Sequence, residues 1–213
     1  MTANTKSILL ASTAVLSWAT VATAFKIALE HLSVFNMLLL STWTAALIYA
    51  FMMAAEKKWN ELRAMPLKLI VQTALLGLLN PVVYYLVLFR AYDMLPAQMA
   101  QPLNYAWPIV LLILLAVFNH EKISGKKYIG MLISVSGVVC ISLGGGGVEG
   151  GVSAAGIAMA LFSAVLWATY WLLNNRLKDK VDTTIALFLG FFAGAVALSI
   201  GGLFVGIEIN SIN

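Results

Sequence analysis

Apolar residues run along this chain in seven long blocks, at roughly 7–28, 33–54, 68–89, 96–118, 127–145, 154–174 and 184–206, separated by short polar or glycine-rich segments. Each block approaches the ~20 residues that a helix needs to cross a bilayer. The pattern predicts an all-α integral membrane protein with seven transmembrane helices. Polar side chains inside the blocks are few and clustered. The fourth block carries Gln98, Gln101, Asn104 and Tyr105. At ~100° per residue these share one broad face with Pro102, Pro108 and Ile109, whereas Trp107 is predicted to point the other way. Pro102 and Pro108 each lack an N–H, which frees the carbonyls of Gln98 and Asn104. In lipid such groups must face protein or a wet cavity.

Two other blocks carry the same kind of signal. In the third, Thr73, Gly77, Asn80 and Tyr84 fall on one face, and Pro81 frees the carbonyl of Gly77. Asn80 either fills that local backbone gap or lines a cavity. In the sixth, Ser163, Trp167, Tyr170, Trp171 and Asn174 form a stripe. Trp171 and Asn174 lie near the end, where aromatic residues usually anchor the interface. Trp167 lies deeper, and its indole offers one N–H donor and a wide flat face. Gln98, Gln101, Asn104 and Tyr105 are candidate solute contacts. Hydrogen bonding between helices is their alternative use. Small-residue stripes at Gly130, Ser134 and Gly137, and at Ala186, Gly190, Gly194 and Gly201, predict close helix packing.

Composition strengthens the membrane reading. Of 213 residues, 62% are hydrophobic and only 10% charged, against about 25% in a soluble domain. The net charge of +4 does not point to nucleic acid, because the basic residues sit in short loops. Lys6, then Lys57, Lys58, Arg63 and Lys68, then Lys122, Lys126 and Lys127, then Arg176, Lys178 and Lys180 fall on one side; Lys26 and Arg90 fall on the other. By the positive-inside rule the N-terminus is cytoplasmic, which suits a multi-pass protein of the cell (inner) membrane. Lys6 followed by Ala22-Thr23-Ala24 resembles a signal peptide, but Trp18 and several threonines dilute its apolar core and six more blocks follow. The glycines at 144–147 and 150–151 have no following lysine and no preceding strand, so they read as a linker and not a phosphate loop. The single cysteine, Cys140, reads as a small buried apolar residue.

The chemistry is that of a carrier and not of an enzyme. No His/Cys/Asp ligand cluster and no Ser/His/Asp set is visible, and His31 and His120 are predicted on opposite sides of the membrane. No metal or cofactor is expected. No carboxylate sits mid-block, where ion-coupled carriers usually keep one, so movement down the substrate gradient or exchange is expected. Lys26, Glu30 and His31 gather at one end of the first block, either as a surface pair or as an outer gate, and Glu121 reads as a loop or gate charge.

An internal repeat completes the pattern. Ala14–Thr20 (AVLSWAT) resembles Ala164–Thr169 (AVLWAT), with Trp18 and Trp167 separated by 149 residues and five predicted spans. An odd number of spans inverts the second copy, a signature of alternating-access transporters.

The chain resembles the drug/metabolite transporter superfamily with EamA-type repeats. Trp18 lies eight residues before Lys26 as in the family's opening, with Ala19 in place of the usual glycine. Pro108, Glu121, Gly130 and Gly137 fall at the family's intervals of thirteen, nine and seven. The run from Ser163 to Tyr170, followed by Arg176, is similar to the opening of the second repeat. Asn104-Tyr105-Ala106-Trp107-Pro108 is similar to a motif of amino-acid exporters, including aromatic amino-acid exporters. The resemblance implies ten helices as two inverted five-helix repeats around a central cavity. Residues 1–147 would be the first repeat and 148–213 the first two helices of the second. The last three helices would come from a longer native chain or a second subunit. It further implies transport of a small-molecule substrate such as an amino acid. A lipid-linked sugar flippase and a non-transporting scaffold are the alternatives.

Overall fold

The computed structural model describes residues 3–120, 123–144 and 153–205. All the secondary structure in them is helical. The elements are α1 (Ala3–His31), α2 (Val34–Ala55), α3 (Trp59–Ala64), α4 (Leu67–Gly77), a π-helical stretch (Leu78–Val83), α5 (Tyr84–Met94), α6 (Ala97–Asn104), α7 (Trp107–Phe118), α8 (Gly125–Gly144), α9 (Ala154–Asn175) and α10 (Thr183–Val205). Among the described residues six helices are long and apolar enough to cross a membrane, counting α4–α5 and α6–α7 as one each. The block at 127–145 is the 20-residue α8. The chain is thus a multi-pass all-α membrane protein.

Local chemistry sets several helix boundaries. Ser33 and Ser153 cap α2 and α9, their hydroxyls accepting from the amides of Asn36 at 3.2 Å and Gly156 at 3.1 Å. Pro66 and Pro96 stand just before α4 and α6, where a missing N–H costs nothing. The short α3, which the hydrophobic pattern does not predict, fills the link between α2 and α4. The third crossing is longer than expected and is broken at Asn80, whose extended backbone (φ −142°, ψ 114°) interrupts the helix ahead of Pro81. The break separates the predicted Thr73–Gly77–Asn80–Tyr84 face. Thr73 and Gly77 turn toward α10, while Tyr84 turns toward α6 and α9.

Packing is uneven. α9 lies against α5, α6 and α7, and α10 lies against α2 and α4. The main core joins Tyr84, Leu88, Phe89 and Tyr92 of α5 to Phe25 of α1, Leu38 of α2 and Ala160 of α9. One small-residue stripe behaves as expected. A Cβ added at Gly77 would lie 2.2 Å from the carbonyl oxygen of Gly190, and one at Gly194 would lie 3.2 Å from Pro81 Cγ. The other does not. A Cβ at Gly130 or Gly137 would meet nothing within 4 Å, so these glycines do not serve close packing among the described residues, and neither does Gly201 at the far end of the α10 stripe. Cys140 is exposed on α8 and not buried. For Gly130, Gly137 and Cys140 the physical reason is the same: α8 lies at the edge of the bundle, and its apolar side chains, such as Leu132 and Ile133, face outward.

One polar cluster ties two loops at the basic end. Lys58 Nζ donates to Glu56 Oε2 at 2.6 Å and to Asp182 Oδ1 at 2.7 Å. Thr184 Oγ1 donates to Glu56 Oε2 at 3.0 Å, and Asp182 Oδ1 accepts from the Thr184 amide at 2.9 Å, capping α10. Lys58 holds both carboxyls below their ordinary values of 4.5 for Glu56 and 3.8 for Asp182, and Asp182 with Glu56 holds Lys58 above 10.5. Depressed carboxyls contribute stability that is complete above their ordinary values and is lost as pH falls through the folded ones. The raised ammonium loses its contribution only as pH rises past 10.5. Thermal unfolding of Lys58→Met beside wild type in detergent should therefore show a constant difference from about pH 5 to 10 that shrinks below about 4.5. A difference that widens in acid would contradict the assignment.

Candidate functional site

The site is built where the fourth crossing breaks. Tyr105 (φ −68°, ψ 2°) and Ala106 (φ −68°, ψ −10°) tighten the chain between α6 and α7, with the Tyr105 amide on Gln101 O at 2.9 Å and the Ala106 amide on Leu103 O at 3.1 Å. Pro108 falls in the first turn of α7, where its missing N–H is harmless. This turn places Trp107 on the same cavity as Asn104, contrary to the expectation that it points away. A three-residue separation leaves only about 60° between two side chains even on a straight helix, so the sequence carries the signal.

Two cavities flank this break, and a third adjoins the first. The first, of about 450 Å³, is lined by Trp18, Tyr84, Asn104, Tyr105, Trp107, Pro108, Trp167 and Trp171. The Tyr84 and Trp167 rings lie 4.7 Å apart, and Trp107 and Trp171 are near-parallel at 6.4 Å. Asn104 is 5% exposed. Its Oδ1 accepts from the Tyr84 hydroxyl at 3.3 Å, and its Nδ2 donates to Ser163 Oγ at 2.8 Å; Ser163 in turn donates to the Ala160 carbonyl at 2.6 Å. One amide thereby joins α5, α6 and α9. It keeps one N–H and one lone pair unused by these bonds.

The second cavity, of about 560 Å³, lies on the other side of α6. Gln98, Gln101, Pro102 and Tyr105 line it with Thr23 of α1 and Ser134 and Gly137 of α8. Gln101 Nε2 donates to the Trp18 carbonyl at 3.0 Å and to the Tyr105 hydroxyl at 2.9 Å, so it ties α6 to α1. The third cavity, of about 360 Å³, gathers Asn80, Tyr85, Tyr170 and Asn174, and shares Trp18, Trp167 and Trp171 with the first.

Comparison with known proteins now bears on this geometry. The profile of the EamA-like transporter family matches residues 5–143, well over half of the chain. The chain belongs to the EamA-like transporter family. Over 126 residues it is 29% identical to a Bacillus subtilis (strain 168) protein named Uncharacterized transporter YvbV, a match covering 59% of this chain and 41% of that protein. Over 104 residues it is 27% identical to the Aromatic amino acid exporter YddG of Salmonella typhimurium (strain 14028s / SGSC 2262), covering 42% of this chain and 36% of that one. The chain thus spans about two-fifths of the length of these relatives. No solved structure matches it.

In this EamA-family transporter the expected site residues divide among the three cavities. Trp18, Tyr84, Asn104, Tyr105, Pro108 and Trp167 meet in the first. Gln98, Gln101, Pro102 and Gly137 line the second, and Asn80 and Tyr170 line the third. Pro81 is buried against α10, and Gly130 faces outward. Lys26 does not form the expected surface pair. It is not paired with Glu30; its Nζ donates to the Tyr92 carbonyl at 2.7 Å and holds α1 to the end of α5. Glu121 lies outside the described residues. Trp171, expected as an interface anchor, is partly exposed and also lines two cavities. Tyr85 is absent from the expected set: α5 turns it toward the third cavity, and no spacing rule flags it.

Proposed function

We propose that this EamA-family transporter carries a small polar metabolite, an amino acid bearing an apolar or aromatic side chain, out of the cell by alternating access between inverted repeats. The reading includes residues 1–147 as the first repeat and 148–213 as part of the second, completed by further helices of a longer chain or by a second subunit. It also includes an inner-membrane location with the N-terminus in the cytoplasm. The observation that carries it is the first cavity. Flat rings supply apolar stacking area, while Asn104 and the indole N–H groups supply hydrogen bonds without a fixed charge. That combination suits a zwitterion with a large side chain. A lipid-linked sugar needs cations at phosphate depth, and the lining of this cavity has none.

Vesicles containing the full protein, loaded with radiolabelled phenylalanine, test the reading. Efflux should follow the phenylalanine gradient and survive collapse of the proton gradient. Trp167→Ala, which removes the ring facing Tyr84, should slow it about tenfold, the scale of a lost stacking contact of ~1–1.5 kcal/mol. Efflux no faster than from empty vesicles would defeat the proposal, and efflux that stops with the proton gradient would defeat its uncoupled form.

A further inference from the structure

The third cavity changes character along its length. Its deep part is shared with the first cavity through Trp18 and Trp167. Its walls are rings: Tyr49 and Phe191 stack at 5.6 Å, and Trp167 and Tyr170 at 5.8 Å. Its mouth is formed by the link from α9 to α10, at the basic end, where Lys178 is exposed and Asn174 half-buried. The two side chains lie one turn apart. The Lys178 amide bonds the Asn174 carbonyl at 3.1 Å, so the helical path continues past α9 and both residues line the same cavity. Among the described residues neither side chain has a hydrogen-bond or ion-pair partner. No carboxylate is in the lining, and Lys178 is its one charged group. Asp182, in the same link, is taken by Lys58 at 2.7 Å. An ammonium and an amide, both open to solvent, thus offer donors that no protein acceptor uses.

These observations select one chemistry. A simple cation would meet Lys178 with no carboxylate in the lining to offset it. A neutral apolar molecule would leave both donors to water. An inorganic anion would satisfy the donors but leave the ring walls unfilled, and ring faces carry negative potential. A carboxylate on an apolar body meets both requirements. We infer that this cavity is a loading station that takes an organic carboxylate by its anionic end, through Lys178 Nζ and Asn174 Nδ2, with the apolar body directed toward Trp167. Its volume of about 360 Å³ is that of a small-molecule site. The inference rests on the transport reading. An amino acid carries such a carboxylate, and the Asn174 side-chain carbonyl is free to accept from the ammonium beside it. In that reading the basic end is cytoplasmic, and the shared wall at Trp167 places the first cavity next on the solute's path.

The test is tryptophan-fluorescence titration of the purified full protein in phosphatidylcholine nanodiscs with 3-phenylpropanoate and its neutral counterpart, 3-phenylpropanamide. Wild type should bind the carboxylate more tightly than the amide. Lys178→Gln should weaken the carboxylate about three- to fivefold, the scale of an exposed ion pair, and leave the amide unchanged. Lys178→Arg should stay within about twofold of wild type. Asn174→Leu should weaken the carboxylate about three- to tenfold, the scale of one hydrogen bond. Lys180→Gln, which removes a charge from the same link but outside the lining, should have no effect. Three results would overturn the station. One is a wild type that binds the carboxylate no better than the amide. Another is equal weakening by Lys178→Gln and Lys180→Gln, which would make the effect one of general charge at the basic end. The third is a Lys178→Gln effect that vanishes when phosphatidylglycerol is added to the nanodisc, which would give Lys178 to a lipid phosphate. Unchanged carboxylate binding in Lys178→Gln alongside normal phenylalanine efflux removes the station and leaves the transport reading intact. Lys178-dependent carboxylate binding without efflux does the reverse.

Discussion

Replacing Asn104 by leucine should slow substrate efflux roughly 10- to 150-fold while lowering thermal stability only modestly. The rate effect follows from the unused N–H and lone pair of Asn104, which face a cavity otherwise walled by rings. A hydrogen bond to a charged solute group contributes about 1.5–3 kcal/mol, which converts to that range of rates. The stability effect is smaller for a specific reason. Ser163 keeps its bond to the Ala160 carbonyl when Asn104 is gone, so only the Tyr84 hydroxyl loses its partner. Hydrogen bonds between membrane helices average about 0.6 kcal/mol. Ser163→Ala is the control. It cuts the same bridge between α6 and α9 at 2.8 Å but leaves the Asn104 amide in the cavity, so efflux should stay within about threefold of wild type. If Ser163→Ala and Asn104→Leu slow efflux equally, Asn104 acts as a strut between helices and not as a solute contact.

The crossings are legible in the sequence because bilayer thickness fixes the length of an apolar run, and in lipid only a helix satisfies the backbone within a single segment. The breaks are legible in part. Pro81 marks the third crossing, but the outward swing of Asn80 depends on α10 pressing against Gly77 and Pro81 from the far side of the chain. The family is legible through Trp18, Pro108 and their spacing to later residues. Partners distant in sequence are not. The sequence sets Lys26 against Glu30, four residues away, because helical neighbours are the only ones a sequence displays; its partner is the Tyr92 carbonyl, 66 residues on. The two stripes of small residues look alike in the sequence. Only one meets another helix closely, and the deciding factor is the position of α8 at the edge of the bundle, which no periodicity encodes. The first cavity is half legible. Trp18, Asn104 and Trp167 stand out in the sequence; Trp107 lies only about 60° from Asn104 by helical spacing, and Trp171 shares the Trp167 stripe but lies near the helix end, where aromatic residues usually anchor the interface. The turn at Tyr105 and Ala106 completes the placement of Trp107 on the cavity.

Gly77→Ala should destabilise the protein far more than Gly190→Ala, although the two glycines face one another. A Cβ on Gly77 would lie 2.2 Å from Gly190 O, 2.6 Å from its Cα and 2.7 Å from its carbonyl carbon. All three are backbone atoms, so no side chain can rotate away and α4 must move from α10. A Cβ on Gly190 would lie 3.6 Å from the Gly77 Cα, an ordinary contact. Overpacking of this kind costs about 1–3 kcal/mol, and the absence of a flexible neighbour places Gly77→Ala at or above the upper end. The close approach also carries the attraction between the helices, since in lipid that comes from packing and not from burial of apolar surface. Melting curves in detergent should rank Gly77→Ala well below Gly190→Ala, with Gly130→Ala and Gly137→Ala at wild-type values because their Cβ atoms would enter open space. Equal melting of the Gly77 and Gly190 variants would show that α4 and α10 do not meet in this register. The register matters to the third cavity as well: Asn80 follows Gly77 by three residues, and a displaced α4 would carry the Asn80 side chain away from Tyr170.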